Sequence, residues 1–494
     1  MGKELLLAID IGTTNLKGAL FSVDGKVIAA ASRRHQVSRR FEGYAEHDAE
    51  GIWWREFCDI CAELLKSDGI EAKDIISVAF SSLSPALLPV DADGKALYPA
   101  ILYGLDKRAV PEIKELNDEF REYCGGGDAA GELSTGPKIL WLYRNEPEIF
   151  KKAAYFVGAP SFMVYRLTGE MVADYGCYRI GRLPFNNAIL DWDDKMCEAC
   201  KITRDKLPRL MYATERAGLI TKEAAALTGL IEGTPVAVGT GDFLAEKLSF
   251  GTKFNSTIQF TFGTTVGIDF GNDFCTILFP DFDPNNQKKT IRGGAMSNGC
   301  STIDWVISLI SGIDSKRVDD DKLNELLELC APGANGIIIL PYLNGEKNPM
   351  VDPDAKGMIF GLQARHTAAD LYRASLESLA YSMRHMLTER APNLEIKEAA
   401  VMGGGVKIPG LLQAVSDVTG FNLTKLETVT GTLVGGAFIA GMACGLFNKR
   451  EDIDSWIKVA DYITPRPEFA EIYERGFDKY RKLYESTKDI MHES

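Results

Sequence analysis

Residues 4–35 read as three successive strands. "LLLAIDI" is apolar throughout, "LKGALFSV" alternates, and "VIAAASRR" follows an Asp24-Gly25 turn. A helical pattern covers 49–67, and strands follow in "IISVAFSS" and near "PALLPVD". Helical patterns return over 107–121, 137–146 and 158–168, while "CGGGD" at 124–128 reads as a loop. Strands and helices mixed in this way predict an α/β class. At 494 residues the chain is too long for one core, so two large domains or three smaller ones are expected.

One pattern occurs twice. "LAIDIGTTNLKGALF" near the start is echoed by "IQFTFGTTVGIDF" at 258–270, each a strand, then Gly-Thr-Thr, then a second alternating strand. A single GTT means little among 47 glycines, but two in the same setting half a chain apart point to a duplicated α/β unit. Between them "GTPVAVGTGDFLAEKLSFGT" at 233–252 is a Gly-punctuated strand followed by a short helix. This places the domain boundary near 243, giving domains 1–243 and 244–494 that are expected to meet across a cleft.

These turns permit a specific chemistry. Glycine lets backbone N–H groups approach an anion closely, and threonine hydroxyls add donors. Thr13 and Thr14 in the first turn, and Gly263, Thr264 and Thr265 in the second, are therefore candidate phosphate ligands. Lys17 adds a point charge to the first. Asp10 would repel a polyphosphate on its own; with Mg²⁺ between them it becomes an anchor, although a strand-end turn acid is the simpler reading in isolation. Asp242 follows an apolar strand and two glycines at the start of a helix, where a carboxylate can accept a proton from a substrate hydroxyl or merely cap the helix. "AAVMGGGVKIPGLLQAVSDVTG" at 399–420 is a strand–glycine–helix turn suited either to a nucleotide or to tight packing. It matches neither GxxxxGK[ST] nor GxGxxG.

Composition narrows the classes. The 55 basic and 69 acidic residues give a net charge of −14, which argues against nucleic-acid and anionic-membrane partners. "TGTLVGGAFIAGMACGLF" at 430–447 carries no charge, but its Gly and Ala content predicts a buried helix packed through small residues rather than a membrane span. Asp10 interrupts the first apolar run too early for a secretory signal, so a cytoplasmic location is expected. The pairs Cys58/Cys61 and Cys197/Cys200 have CxxC spacing, yet the first lies on one face of a helical pattern and the second has no nearby His; both read as core cysteines. The C-terminal Phe469, Tyr473, Phe477, Tyr480 and Tyr484 recur at helical spacing, which is a packing stripe. None of the five histidines has triad or metal spacing, and His47 reads as structural.

With these motifs in hand the chain resembles the FGGY carbohydrate kinases, part of the sugar kinase/actin/heat-shock chaperone ATPase superfamily. "AIDIGTTNLKGALF", "GYAEHDAEGIWW", "GPKILWLYRNEPEIF", "GTPVAVGTGDFLAEKLSFGT", "FTFGTTVGI", "ILPYLNGEKNPMVDPDAKGMIFGLQARH" and "VMGGGVKIPGLLQAVSDVTG" carry the resemblance in order. It implies two ribonuclease-H-like domains flanking a cleft, the first holding the sugar and the second ATP. It further implies Asp242 as the catalytic base and Asp10 as the Mg²⁺-associated carboxylate. Thr13, Thr14 and Asn15 match the family's first phosphate turn, Gly263, Thr264 and Thr265 the second, and Gly404 and Gly405 its adenosine-side glycines.

Departures bear on substrate. Xylulose kinases commonly carry Ser-Gly-Gln-Met-His-Gly after the strand equivalent to "SVAF"; here the segment is "SSLSPALLPVD", with Leu83, Ser84 and Pro85 in place of the Gln-Met-His group. The Arg-Glu of glycerol kinases is absent too. The family's Trp-x-Asp-x-Arg becomes "YGLDKR", so Ser84, Tyr103 and Asp106 join Asp242 as candidate sugar ligands, a salt bridge from Asp106 to Arg108 or Lys107 being the competing role for Asp106. By family frequency the resemblance implies a kinase of a pentulose such as xylulose or ribulose. Gluconate, glycerol or another polyol is the alternative, and a homodimer is compatible with it. An ATPase switch would not need Asp242, and a sugar sensor that had lost catalysis would not be expected to keep Asp10, Asp242 and both turns.

Overall fold

A computed structural model describes residues 3–254, 257–271, 274–283, 293–427 and 431–493. They form two compact units. The first comprises Met1–Ser249, Phe274–Pro284 and Gly431–Trp456; the second comprises Phe250–Asp273, Asn285–Thr430 and Ile457–Ser494. A single cut near 243 therefore does not describe the units, because two later segments return to the first. The physical reason for the larger return lies in the first sheet.

That sheet contains β1 (Leu5–Ile11), β2 (Asn15–Ser22), β3 (Val27–Arg34), β4 (Ile75–Ser82), β5 (Arg216–Leu219), β6 (Pro235–Ala237) and the short β7 (Thr240–Gly241). Its order is β5-β6-β4-β1-β2-β3, with β7 paired to β4. The second unit holds β8 (Ile258–Phe262), β9 (Val266–Asp269), β10 (Gly294–Met296), β11 (Glu398–Met402), β12 (Asn422–Leu426) and β13 (Val459–Ile463), in the order β10-β9-β8-β11-β12-β13. The two sheets have the same sequence of strand directions. From β3 the pairings run antiparallel, antiparallel, parallel, parallel, antiparallel. From β10 they run identically. Each GTT is the turn of an antiparallel hairpin at the same place in its sheet, β1-β2 in the first and β8-β9 in the second, so the echo in the sequence is an echo in topology.

β1 is buried along its whole length, which requires cover on both faces. Leu5, Leu7, Ile9 and Ile11 enter a core with Trp53, Phe57, Phe80 and Phe162, supplied in part by the helices Arg55–Leu64 and Ala159–Thr168. Leu6, Ala8 and Asp10 point to the other face. The uncharged segment near 430–447 covers it: its helix Gly431–Ala443 brings Thr432 to Asp10, Gly436 to Ala8 and Gly441 to Leu6. Nine helical residues from Thr432 to Gly441 rise about 13.5 Å and four strand residues from Asp10 to Leu6 about 13.4 Å, so the two elements stay in step over these contacts. Among the described residues no helix is long and apolar enough to cross a membrane.

The second core gathers Phe260, Phe262, Tyr342, Tyr372 and Leu376 with the C-terminal helix Ala470–His492. Tyr473, Phe477, Tyr480 and Tyr484 of that helix are buried, as a packing stripe should be, with Phe469 partly buried against the same core. The buried hydroxyls are paired: Tyr480 meets Tyr342 at 2.6 Å and Tyr484 donates to Asp352 at 2.6 Å.

Candidate active site

Asp10 is the penultimate residue of β1 and lies opposite Lys17 on β2 and Ser81 on β4. That register puts all three side chains on one face of the sheet. Ser81 Oγ donates to Asp10 Oδ1 at 2.9 Å, and Thr432 Oγ1 donates to Oδ2 at 3.3 Å. Asp10 is 6% exposed. Burial pushes its pKa up, opposed by the Ser81 hydrogen bond, by Lys17 and by Thr432.

Asp242 opens the helix Asp242–Leu248, and its Oδ1 accepts the Phe243 N–H at 2.7 Å. Burial first, then the negative charge of Asp10, push its carboxyl up to about 8; Glu246 adds to the rise and the Phe243 N–H opposes it. Glu246 follows Asp242 by four residues and so shares its helix face. Its carboxyl is also raised, by burial and by Asp10, against Lys247 and Lys17. Three half-buried or buried carboxyls thus share one field, with Lys17 as the cation opposing two of them. Raised carboxyls favour the protonated state of the fold, so the Asp242 contribution to stability is complete below its ordinary value near 3.8 and is lost as pH rises through about 8. Thermal unfolding followed from about pH 6 to about pH 9 is expected to show a steeper fall for wild type than for Asp242→Asn.

The first turn sits at the end of the same hairpin. Gly12 N–H donates to Asn15 O at 2.9 Å, which closes the turn. The N–H groups of Thr13 and Thr14 donate to no backbone acceptor among the described residues, leaving two adjacent donors for an anion. Asn15 Nδ2 donates to Thr14 Oγ1 at 3.0 Å. Burial together with the charges of Asp242 and Asp10 raises the Tyr103 phenol, opposed by Thr13. Ser84 lies beside the backbone that precedes Asp242: a Cβ on Gly241 would come within 3.1 Å of Ser84 Cβ. Asp10, Thr13, Lys17, Ser84, Tyr103 and Asp242 are therefore brought together within the first unit.

Asp106 is not brought into this group as an open ligand. Its Oδ1 accepts the Arg108 N–H at 3.1 Å and Arg108 Nε at 2.8 Å; its Oδ2 accepts the Ala45 N–H at 2.7 Å and Arg108 Nη2 at 2.8 Å. Four donors fill the acceptor positions of a carboxylate, so the salt-bridge role replaces the sugar-ligand expectation. Arg108 also reaches Glu46 at 2.8 Å and stacks 3.8 Å from the Tyr44 ring centroid. Arg108→Met leaves the buried Asp106 carboxylate without its cation, while Glu46 keeps Arg40, and is expected to lower unfolding stability by about 3–5 kcal/mol, read from the denaturant midpoint.

In the second unit Gly263, Thr264 and Thr265 form the turn between β8 and β9, closed by Gly263 N–H donating to Thr265 O at 2.9 Å. The two adenosine-side candidates divide. A Cβ on Gly405 would meet Cys300 Sγ at 2.3 Å, so that glycine is required for packing; around Gly404 there is open space. Only Gly404 has the free approach that a ligand needs.

The models of the FGGY family of carbohydrate kinases, N-terminal and C-terminal domains, match residues 5–248 and 285–444. The chain belongs to this family. It is a carbohydrate kinase with the family's two-domain α/β fold. The Xylulose kinase of Bacillus subtilis (strain 168) is 28% identical over 497 residues, covering 99% of this chain and 98% of that one. The Gluconokinase of the same organism is 26% identical over 479 residues, covering 93% and 90%. A solved xylulose kinase from Rhodospirillum rubrum matches with a TM-score of 0.78 and 26% identity over 99% of this chain and 100% of that one.

Sequence reasoning about this kinase missed Ser81, Thr432 and Glu246. Glu246 had a usable signal, its i,i+4 relation to Asp242. Ser81 becomes visible only from strand register, and Thr432, 422 positions from Asp10, had none.

Proposed function

We propose that this kinase transfers the γ-phosphoryl group of ATP to a hydroxyl of a pentulose, of the xylulose or ribulose type, with Asp242 as general base. The observation that carries the reading is the raised Asp242 carboxyl beside Asp10 and a turn with two N–H groups that meet no backbone acceptor among the described residues. The xylulose kinases among its relatives, matched end to end, support the acceptor class. In the reaction the acceptor O–H proton passes to the Asp242 carboxylate, the oxygen forms its bond to the γ-phosphorus, and the bond to the β,γ-bridging oxygen breaks to release ADP. Thr13 and Thr14 orient phosphate oxygens, and Lys17 offsets their charge. Ser84 and Tyr103 face the acceptor. Gly263, Thr264, Thr265 and Gly404 are the second unit's nucleotide ligands.

The residues fit Mg²⁺. Asp10 is a buried carboxylate flanked by hydroxyls and by two more raised carboxyls, a concentration of negative charge that a divalent cation relieves. No group of three or more His, Cys, Asp or Glu among the described residues could hold a metal ion, so Asp10 would hold the cation together with water and phosphate oxygens. A bound cation supplies charge neutralisation at the phosphates and draws the Asp242 carboxyl toward its ionised, basic form.

ADP release measured with pentuloses, hexuloses, polyols, gluconate and glycerol tests the acceptor. The expected result is a rate with xylulose or ribulose at least about tenfold above all others, equivalent to about 1.4 kcal/mol of discrimination. Preference for gluconate would overturn the pentulose assignment while leaving the kinase reading in place, and equal release with and without every acceptor would overturn acceptor transfer itself.

A further inference from the structure

The two GTT turns are alike in sequence and topology but are held by different groups. In the second unit the turn carbonyls accept from the start of the helix Cys300–Ser311: Cys300 N–H donates to Gly263 O at 3.1 Å and Gly299 N–H to Thr264 O at 3.1 Å. In the first unit no helix start among the described residues does this. Two histidines, 12 residues apart in sequence and with ring centroids 4.9 Å apart, take its place. His35 Nε2 lies 3.1 Å from Gly12 O, His47 Nε2 lies 3.1 Å from Thr13 O, and the His35 backbone N–H donates to Thr14 O at 3.0 Å.

We propose that His35 and His47 are positioning residues for the first phosphate turn, holding its carbonyls inward so that the Thr13 and Thr14 N–H groups face a nucleotide phosphate. The proposal rests on the reading of that turn as a phosphate ligand. The partners assign the protons. Trp53 Nε1 donates to His47 Nδ1 at 3.2 Å, so His47 carries its proton on Nε2 and gives it to Thr13 O. His35 Nδ1 faces Glu56 Oε2 at 2.9 Å and its Nε2 faces Gly12 O at 3.1 Å, so the ring is held at both ends. His47 is fully buried and His35 nearly so, which makes an unpaired carbonyl here costly. With Gly12 N–H already on Asn15 O, every carbonyl from Gly12 to Asn15 is engaged, and the turn cannot flip a peptide plane without breaking one of these bonds.

The geometry supplies its own controls. An Asn amide reaches about as far as Nδ1 and a Gln amide about as far as Nε2. His47→Asn therefore loses the bond to Thr13 O, and His47→Gln can restore it. Calorimetric affinities for MgATP and for adenosine, without any acceptor, separate positioning of the turn from general damage. His47→Asn is expected to weaken MgATP about tenfold relative to adenosine, the worth of one buried hydrogen bond, and His47→Gln to recover most of the loss. Should His47→Asn not fold, His35→Asn and His35→Gln make the same comparison at Gly12 O. Equal losses in the Asn and Gln variants, losses shared by adenosine, or no loss would each overturn the proposal. Gly12→Val, whose Cβ would lie 2.9 Å from Asn15 O, tests the underlying reading. If it leaves MgATP affinity intact, the turn is not a phosphate ligand. If it weakens MgATP while the histidine variants do not, the positioning proposal alone falls.

Discussion

Asp242→Asn is expected to lower acceptor-dependent ADP release by about 10²–10⁴-fold while MgATP continues to bind, the range spanned by loss of a general base. The amide occupies the same volume and its oxygen can still accept the Phe243 N–H, so the helix start is preserved. What is lost is the capacity to take a proton. In the free protein that capacity is raised by burial and by Asp10, which bring the carboxyl to about 8. Such a base is strong for a carboxylate but is ionised at neutral pH only when the charge of Asp10 is offset, so the two aspartates act as a coupled pair. The same coupling separates the roles by measurement. Asp10→Asn should lower the apparent pKa on Asp242 in a pH–rate profile and weaken the dependence on Mg²⁺, whereas Asp242→Asn removes the pKa altogether.

Gly435→Ala is the second large effect, and it acts at a distance from the reacting groups. A Cβ at 435 would stand 1.9 Å from Ala245 O and 2.7 Å from Ala245 C, both backbone atoms of the helix that begins with Asp242. Neither can yield by rotating a side chain, so one helix must move off the other. Loss of about 3 kcal/mol or more in unfolding stability is expected, together with a fall in turnover because the displaced helix carries Asp242 and Glu246. The neighbouring residue gives the contrast. A Cβ at Gly436 would meet Ala8 Cβ at 3.4 Å, an ordinary contact. Gly436→Ala is expected to be neutral, or stabilising by up to about 1 kcal/mol through helix propensity. Denaturant melts of the two variants side by side check both statements, and equal effects would contradict the packing described for the helix Gly431–Ala443.

How much of this was legible beforehand depends on how local the cause is. β1 to β3 were readable because an apolar run, an alternating run and an Asp-Gly turn are written in adjacent residues. The duplicated hairpin was readable because each copy is contiguous. The return of Gly431–Trp456 to the first unit was not, since it follows from the need to cover the Leu6–Ala8–Asp10 face, a property of the folded sheet. The charge-free composition of that helix signalled burial without naming its partner. At the site, Asp10 and Asp242 stood out by their place at strand ends, whereas Ser81 and Thr432 reach Asp10 only through strand register and long-range packing. Asp106 shows the reverse difficulty. The motif position suggested a ligand, but Arg108 two residues later and the Ala45 N–H saturate the carboxylate, and no local pattern reveals that count. His47 reads as structural by elimination; its hydrogen bond to the phosphate turn ties that structural part to the chemistry.

The central claim is that Asp242 accepts the proton of the acceptor hydroxyl. It is tested most directly by acceptor-dependent ADP release with a pentulose, followed across pH for wild type and Asp242→Asn under saturating MgATP. For wild type, kcat/KM for the acceptor is expected to rise with pH along a single ionisation at or below about 8 and then level off, while the variant stays flat and low throughout. A variant that kept both the rate and the same rise with pH would show that the proton goes elsewhere.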